Sequence, residues 1–178
     1  MLSETEILQE IRAGNQAVFE QVFHTHYAAL CRFSMQYLSD PEEAREVVQE
    51  LFLVLWEKRQ QVEISSSLKS YLYQSTRNKC LNHLKHLKVR DNYADHAKAH
   101  YPRATEANPA EYAGLEARIS QAVESLPTRC REIFELSRYE GLKYREIADM
   151  LQLSPKTVEV QMVKALKTLR DQLKDYLP

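Results

Sequence analysis

GLKYREIADMLQLSPKTVEVQMVKALKTLR, residues 141–170, is the stretch whose reading decides the fold. Tyr144 to Leu151 places Ile147, Ala148 and Leu151 at i, i+1 and i+4, one face of a short helix. Gln152-Leu153-Ser154 interrupts that period. Ser154 then reads as an N-cap, with Pro155 at the first helical position, where its missing N–H costs nothing. In the helix that follows, Val158, Met162, Ala165, Leu166 and Leu169 fall on one side. Two helices across a tight turn, the second longer and basic, describe a helix-turn-helix. At ~100° per residue the outward side holds Lys156, Glu159, Val160, Val163, Lys164 and Lys167. Valines beside Lys and Glu suit a DNA major groove, where thymine methyls and cytosine amino groups are displayed. The plainer alternative is a surface helix with two stray valines.

Immediately upstream, Pro127 to Tyr139 reads as a helix burying Ile133, Phe134 and Leu136, closed by Glu140-Gly141. Tyr112 to Ser125 reads as another, broken by Leu126-Pro127. Between them and the N-terminal half, residues 92–111 hold Pro102 and Pro109 among small and charged residues without sustained period, the composition of a flexible linker. Before it, a helix from about Leu68 buries Leu72, Thr76, Cys80, Leu84 and Leu87. From Ile64 to Arg90 there is no carboxylate, while Lys69, Arg77, Lys79, Lys85, Lys88 and Arg90 all lie there. Such a one-signed run is an electrostatic footprint for phosphates. Tyr71, Gln74, Asn78, Asn82 and Lys85 line up along one ridge of that helix. An aromatic, three amides and a lysine can stack on bases, bond their edges and hold the backbone. A solvated polar face is the competing reading.

Pro41 to Arg59, capped by Asp40, forms a third informative helix. Ala44, Val47, Val48, Leu51 and Leu55 make its core stripe. The opposite face carries Glu42, Glu46, Gln49, Glu50 and Glu57, with Leu53 and Trp56 among them. An acidic face with an apolar residue and a tryptophan suits docking of a basic partner helix, unless Trp56 folds back onto its own core. Gln16 to Leu38 reads as a long helix burying Val18, Val22, Leu30, Phe33 and Tyr37. Ser3 to Arg12 begins with a capping box, Ser3 with Glu6, and ends at Ala13-Gly14-Asn15.

The whole chain has 178 residues, few glycines and prolines, and no clean β-alternation, so it reads as all-α. Two small helical domains are expected, residues 1–91 and 112–178, joined by the linker. The net charge of -1 does not announce a nucleic-acid binder; the charge distribution does. Cys31, Cys80 and Cys130 are odd in number and far apart, which suits reduced thiols in a cytoplasmic protein. The N-terminal MLSETEILQE has acids and no apolar run, so no signal peptide is expected, and no stretch is long enough for membrane insertion.

Four segments in this order carry a resemblance: AREVVQELFLVLWEKR (44–59), SYLYQSTRNKCLNHLK (70–85), LPTRCREIFELSRYEGLKYREIADML (126–151) and SPKTVEVQMVKALKTLR (154–170). The chain resembles an extracytoplasmic-function (ECF) sigma factor of the sigma-70 family, the minimal class with only the second and fourth conserved regions. The resemblance implies a factor that binds RNA polymerase core enzyme and directs promoter-specific transcription initiation. Glu46, Gln49 and Glu50, with Leu53 and Trp56 on the same helix, match the polymerase-binding positions. Tyr71, Gln74, Arg77, Asn78, Asn82 and Lys85 match the segment that reads and traps -10 bases, aided by the loop before Leu68. Glu159, Val160 and Val163 match base-facing -35 positions, and Lys156, Thr157, Gln161 and Lys164 phosphate-facing ones. Besides core enzyme and promoter DNA, an anti-sigma factor, membrane-anchored or not, is implied as a partner. The sequence departs from family patterns at Gln74 and Ser75, where housekeeping members carry paired tryptophans, which implies weaker melting and stricter promoter choice. It departs again at Glu159, where many relatives have arginine.

Two other classes compete. A stand-alone helix-turn-helix regulator accounts for residues 126–170 and leaves Pro41 to Arg90 unexplained. A zinc enzyme can be drawn from Cys80, His83 and His86, or His96 and His100. Cys80 is on the core side of its helix, the later histidines fall in the linker, and no HExxH-type motif is present. Neither a nucleophile–base pair nor a glycine-rich phosphate loop appears, so no metal, cofactor or catalytic residue is expected.

Overall fold

A computed structural model of the chain describes residues 2–91 and 113–174. Its elements are α1 (Glu4–Ala13), α2 (Gln16–Ser34), α3 (Pro41–Glu57), α4 (Leu68–Asp91), α5 (Ala113–Glu124), α6 (Thr128–Arg138), α7 (Tyr144–Leu151) and α8 (Pro155–Gln172). Among the described residues there is no strand, in keeping with the all-α expectation. The chain divides into two compact units, residues 1–102 and 103–178. The expected linker, 92–111, lies outside the described residues, as do His96 and His100.

Local chemistry accounts for the boundaries. Ser3 Oγ accepts from the Glu6 N–H while the Glu6 carboxylate accepts from the Ser3 N–H, so both ends of the expected box are closed. Gly14 ends α1 at φ 87°, a left-handed conformation that an L side chain resists. Asp40 caps α3 through the Glu42 N–H, with Pro41 in the first turn. Ser154 caps α8 through the Thr157 N–H at 3.0 Å.

In the first unit α2, α3 and α4 pack on one another, and α1 lies on α2. Phe33, Leu30, Val48, Leu72 and Tyr73 are fully buried. The Phe33 and Tyr73 rings meet edge to face at 5.0 Å, a geometry the ring quadrupoles favour. All five expected stripe residues of α3 are buried, joined by Phe52. Three expectations need correction. Val18, placed on the buried side of α2, is only half-buried. The second helix ends at Ser34, not Leu38; the chain turns at 35–37 so that Leu38 reaches the pocket lined by Ala44, Val47 and Cys80, with Tyr37 half-buried beside it. On α4, Leu84 and Leu87 are only half-buried, whereas Leu72, Thr76 and Cys80 are inside.

In the second unit α8 is the central element, packed against α5, α6 and α7. Ile133, Ile147, Ala148, Val158, Met162 and Ala165 form its dry interior. Leu166, expected on the buried side, is 37% exposed: the stripe through Val158, Met162, Ala165 and Leu169 already fills the contact, and Leu166 lies one residue beyond it. Gly141 adopts φ 65° just after α6, and Leu142 then turns inward as a buried residue.

Candidate nucleic-acid interface and docking groove

The helix-turn-helix is present where its sequence placed it. Gln152 caps α7 in the left-handed region, φ 55° and ψ 47°, and the Leu153 N–H donates to the Ala148 carbonyl at 2.8 Å. This turn sets the angle at which α8 leaves. On α8, Val160 is 42% and Val163 61% exposed, so neither valine serves the fold. Lys156, Glu159, Lys164 and Lys167 share that exposure. Lys156 Nζ lies 2.9 Å from the Glu159 carboxylate. An exposed pair one turn apart is worth little, so Glu159 is free to exchange its lysine for another donor. Thr157 and Gln161 sit lower. The Thr157 hydroxyl is 2.8 Å from Ser154 Oγ, and Gln161 is half-buried, its Oε1 accepting from the Cys130 thiol at 2.7 Å. The acceptor end of Gln161 therefore already holds α8 to α6.

On α4 the ridge divides by depth. Asn78, Asn82 and Lys85 are exposed, while Tyr71, Gln74 and Arg77 are half-buried. The one-signed run along the chain is not one-signed in space. Lys79 Nζ is 2.8 Å from the Glu50 carboxylate and His83 Nε2 is 3.4 Å from that of Glu43, both from α3. Sequence separation hid these acids. They balance the flank of α4 that faces α3 and leave the ridge of Asn78, Asn82 and Lys85 as the polar surface.

The outer face of α3 is the edge of a groove against α2. Phe19, Phe23, Phe52, Leu53 and Trp56 line a cleft of about 420 Å³, with Gln49 and Glu20 at its rim. Leu53 is 57% exposed. Trp56 takes an intermediate position, its ring 4.8 Å from that of Phe19 and under the Arg59 guanidinium at 4.5 Å. It therefore folds back partly onto α2 and still walls the groove. Phe23 stacks on Tyr27 at 4.7 Å, and Gln49 Nε2 donates to the Tyr27 hydroxyl at 3.4 Å. Glu46 and Glu50 are exposed on α3, and Glu50 is turned toward Lys79 of α4, outside the lining of the cleft. Phe19 and Phe23 of α2 went unread in the sequence. Their signal was there, since Phe19, Phe23 and Tyr27 recur at i, i+4 and i+8 outside the Val22–Leu30–Phe33 stripe.

Cys80, His83 and His86 do not gather. Cys80 is fully buried while His86 is exposed, and no group of three metal-ligating side chains occurs among the described residues. Nor is any described helix long and apolar enough to cross a membrane.

Comparison with known proteins gives two family matches in chain order. Residues 22–89 match the model of sigma-70 region 2, and residues 116–169 that of sigma-70 region 4. Among curated relatives, the RNA polymerase sigma-H factor of Pseudomonas aeruginosa is 22% identical over 98% of this chain and 95% of its own. The ECF RNA polymerase sigma factor SigL of Mycobacterium tuberculosis is 22% identical, covering 89% and 90%. The RNA polymerase sigma factor CnrH of Cupriavidus metallidurans is 26% identical, covering 86% and 85%. In fold, the chain is similar to the sigma factor RpoE solved in complex with the anti-sigma factor NepR from Bartonella quintana, with a TM-score of 0.64 and 23% identity over 88% and 96% of the two chains. It is also similar to CnrH solved in complex with the cytosolic domain of CnrY, at 0.63 and 24% over 97% of each.

Proposed function

This chain belongs to the sigma-70 family, in the two-region layout of its ECF members, and on that premise we propose how its surfaces divide the work of starting transcription. It is a sigma factor that directs RNA polymerase to promoters. The observation that carries this is the pair of matched regions, each lying within one compact unit and in the family's order. A stand-alone helix-turn-helix regulator would account for the second unit alone.

In the division we propose, the groove between α2 and α3 receives a helix of the core enzyme. Leu53 and Trp56 give apolar contact, and Glu46, Gln49 and Glu50 face its basic side chains. The ridge of α4, Tyr71, Gln74, Arg77, Asn78, Asn82 and Lys85, takes -10 bases once they are unpaired, since stacking and amide bonds need faces and edges that a closed duplex hides. The outer face of α8 reads the -35 duplex. Glu159 accepts from a cytosine amino group and Val160 and Val163 meet thymine methyls, while Lys156, Thr157, Gln161 and Lys164 hold phosphates. No catalytic role is assigned to the chain; bond formation belongs to the polymerase. An anti-sigma factor is proposed as a further partner, by likeness to the RpoE complex, competing with core enzyme for the exposed apolar groove.

The test is in vitro transcription with core enzyme on promoters randomised at both elements. Asn78→Ala is expected to lose discrimination at one -10 position only. Glu159→Ala is expected to relax one -35 base pair, by roughly 1–3 kcal/mol. Lys164→Ala should weaken every promoter alike and flatten the salt dependence. Asn78→Ala changing only the -35 profile, or Glu159→Ala only the -10 profile, would overturn the division.

A further inference from the structure

Helix α1 matches neither family model, since the region 2 match begins at residue 22. Its polar side chains nevertheless reach a long way in sequence. The Glu4 carboxylate accepts from the backbone N–H of Leu68, 64 residues on, at the first position of α4. Two turns further along α1, Arg12 Nη2 donates to the Val62 carbonyl at 3.1 Å. The two contacts fall on the middle of the α3–α4 connection and on the point where it becomes α4.

The space between these contacts is open. Thr5, Leu8 and Gln9 of α1 face Ile64 and Ser66 across a cleft of about 360 Å³. The two polar contacts tie the connection to α1 at either end of this cleft. Each satisfies a backbone group with a charged side chain, the stronger kind of hydrogen bond. At the α4 end the need is evident. Leu68 is buried, and an unpaired backbone N–H there would be costly. The first turn of α4 contains no acidic residue of its own. Ser67 Oγ accepts from the Ser70 N–H, at 3.1 Å. Glu4 thus supplies both the missing acceptor and the negative charge that a helix N-terminus favours.

The turn so fixed is the one that carries Tyr71, with Gln74 a turn later. We propose that Glu4 and Arg12 are positioning residues for -10 selection: by pinning the connection and the first turn of α4 to α1, they set the height and angle at which Tyr71 and Gln74 meet an unpaired base. The proposal rests on the reading of α4 as the -10 surface. Neither residue touches DNA in this scheme, and neither lies in the groove between α2 and α3.

The experiment uses the full chain with core polymerase and two promoter pairs, one differing at a single -10 position and the other at a single -35 base pair. Glu4→Ala is expected to reduce the preference within the -10 pair by about fivefold, the factor that losing a helix cap is worth, and Arg12→Ala to reduce it in the same direction. The preference within the -35 pair, and binding to core enzyme, stay as in the unaltered chain. Glu4→Gln keeps an acceptor oxygen and should retain most of the -10 preference. A merely structural role would lower all four promoters together. That uniform loss, an unchanged -10 preference, or a Glu4→Gln chain as defective as Glu4→Ala would overturn the proposal. Asn78→Ala runs alongside as the control for the reading itself. If it leaves the -10 preference intact, the reading of α4 fails and the proposal with it; if it alters that preference while the Glu4 and Arg12 variants do not, only the proposal fails.

Discussion

Gln152 is the one non-glycine residue with positive φ among the described residues, and it sits in the turn that aims the recognition helix. A left-handed conformation costs an L residue roughly 1–2 kcal/mol, while glycine loses about 0.4–1 kcal/mol more chain entropy on folding than a residue with a side chain. The difference favours glycine. Gln152→Gly is therefore expected to stabilise the second unit by roughly 0.5 kcal/mol, and Gln152→Val, β-branched, to destabilise it by more than that. Thermal melts of the two variants check the order; a Gly variant less stable than the Val variant would refute it. A second residue-scale case concerns pH. Burial pushes the Cys80 thiol up to about 11 from its ordinary 9.0, with a hydrogen bond to Ser34 only partly opposing this. The folded state thus disfavours the thiolate. Its contribution to stability is whole below pH 9 and is lost as pH rises through 11, at about 1.4 kcal/mol per pH unit between those values. Denaturant melts from pH 8 to 11 should show that slope in the native chain and a shallower one in Cys80→Ala.

At the scale of elements, α3 shows what the sequence conveyed and what it hid. Ala44, Val47, Val48, Leu51 and Leu55 recur at helical spacing, so the buried side of α3 was legible, and so was the exposure of Leu53 opposite it. Ser154-Pro155 and the outward valines of α8 were legible for the same reason: caps and periods are local. Trp56 was not, because whether a tryptophan turns out or back depends on Phe19, distant in sequence. The ion pair of Glu50 with Lys79 and the cap of α4 by Glu4 join residues on different elements, and no periodicity within one helix announces them. Leu166 failed for a subtler reason: at 100° per residue it borders the stripe, and only the width of the actual contact decides its side.

The Glu50–Lys79 pair also bears on how docking is best tested. Glu50→Lys would set two cations side by side on the first unit's own surface, mixing a folding effect into a binding one. Leu53 has no such tie. Exposed as it is, Leu53→Asp is expected to shift stability by no more than about 0.5 kcal/mol. Placing a carboxylate in the apolar centre of the groove should still abolish capture by core polymerase. Pull-down with core enzyme, beside a circular-dichroism melt, reads both. Wild-type capture by the folded variant would remove the α2–α3 groove from the docking surface.

For the whole molecule, two separate interiors imply two separate melting events. Phe33, Leu72 and Tyr73 belong to one core, and Ile133, Ile147 and Met162 to the other. The residue boundaries proposed for these domains, 1–91 and 112–178, leave out 92–111 altogether. If each boundary encloses everything its core needs, the two fragments made separately will each unfold cooperatively, at the temperatures seen for the two transitions of the full chain. Substitution should respect the division. Phe33→Ala creates a cavity under Tyr73 and should cost about 3–5 kcal/mol, a loss confined to the first transition. Ile133→Ala, at about 2–5 kcal/mol, should lower only the second. Differential scanning calorimetry of the full chain, the two fragments and the two variants decides the matter. A single transition moved by both substitutions would mean that the units fold as one. A fragment that stays unfolded alone would place part of its core within residues 92–111, and the proposed boundaries would have to move.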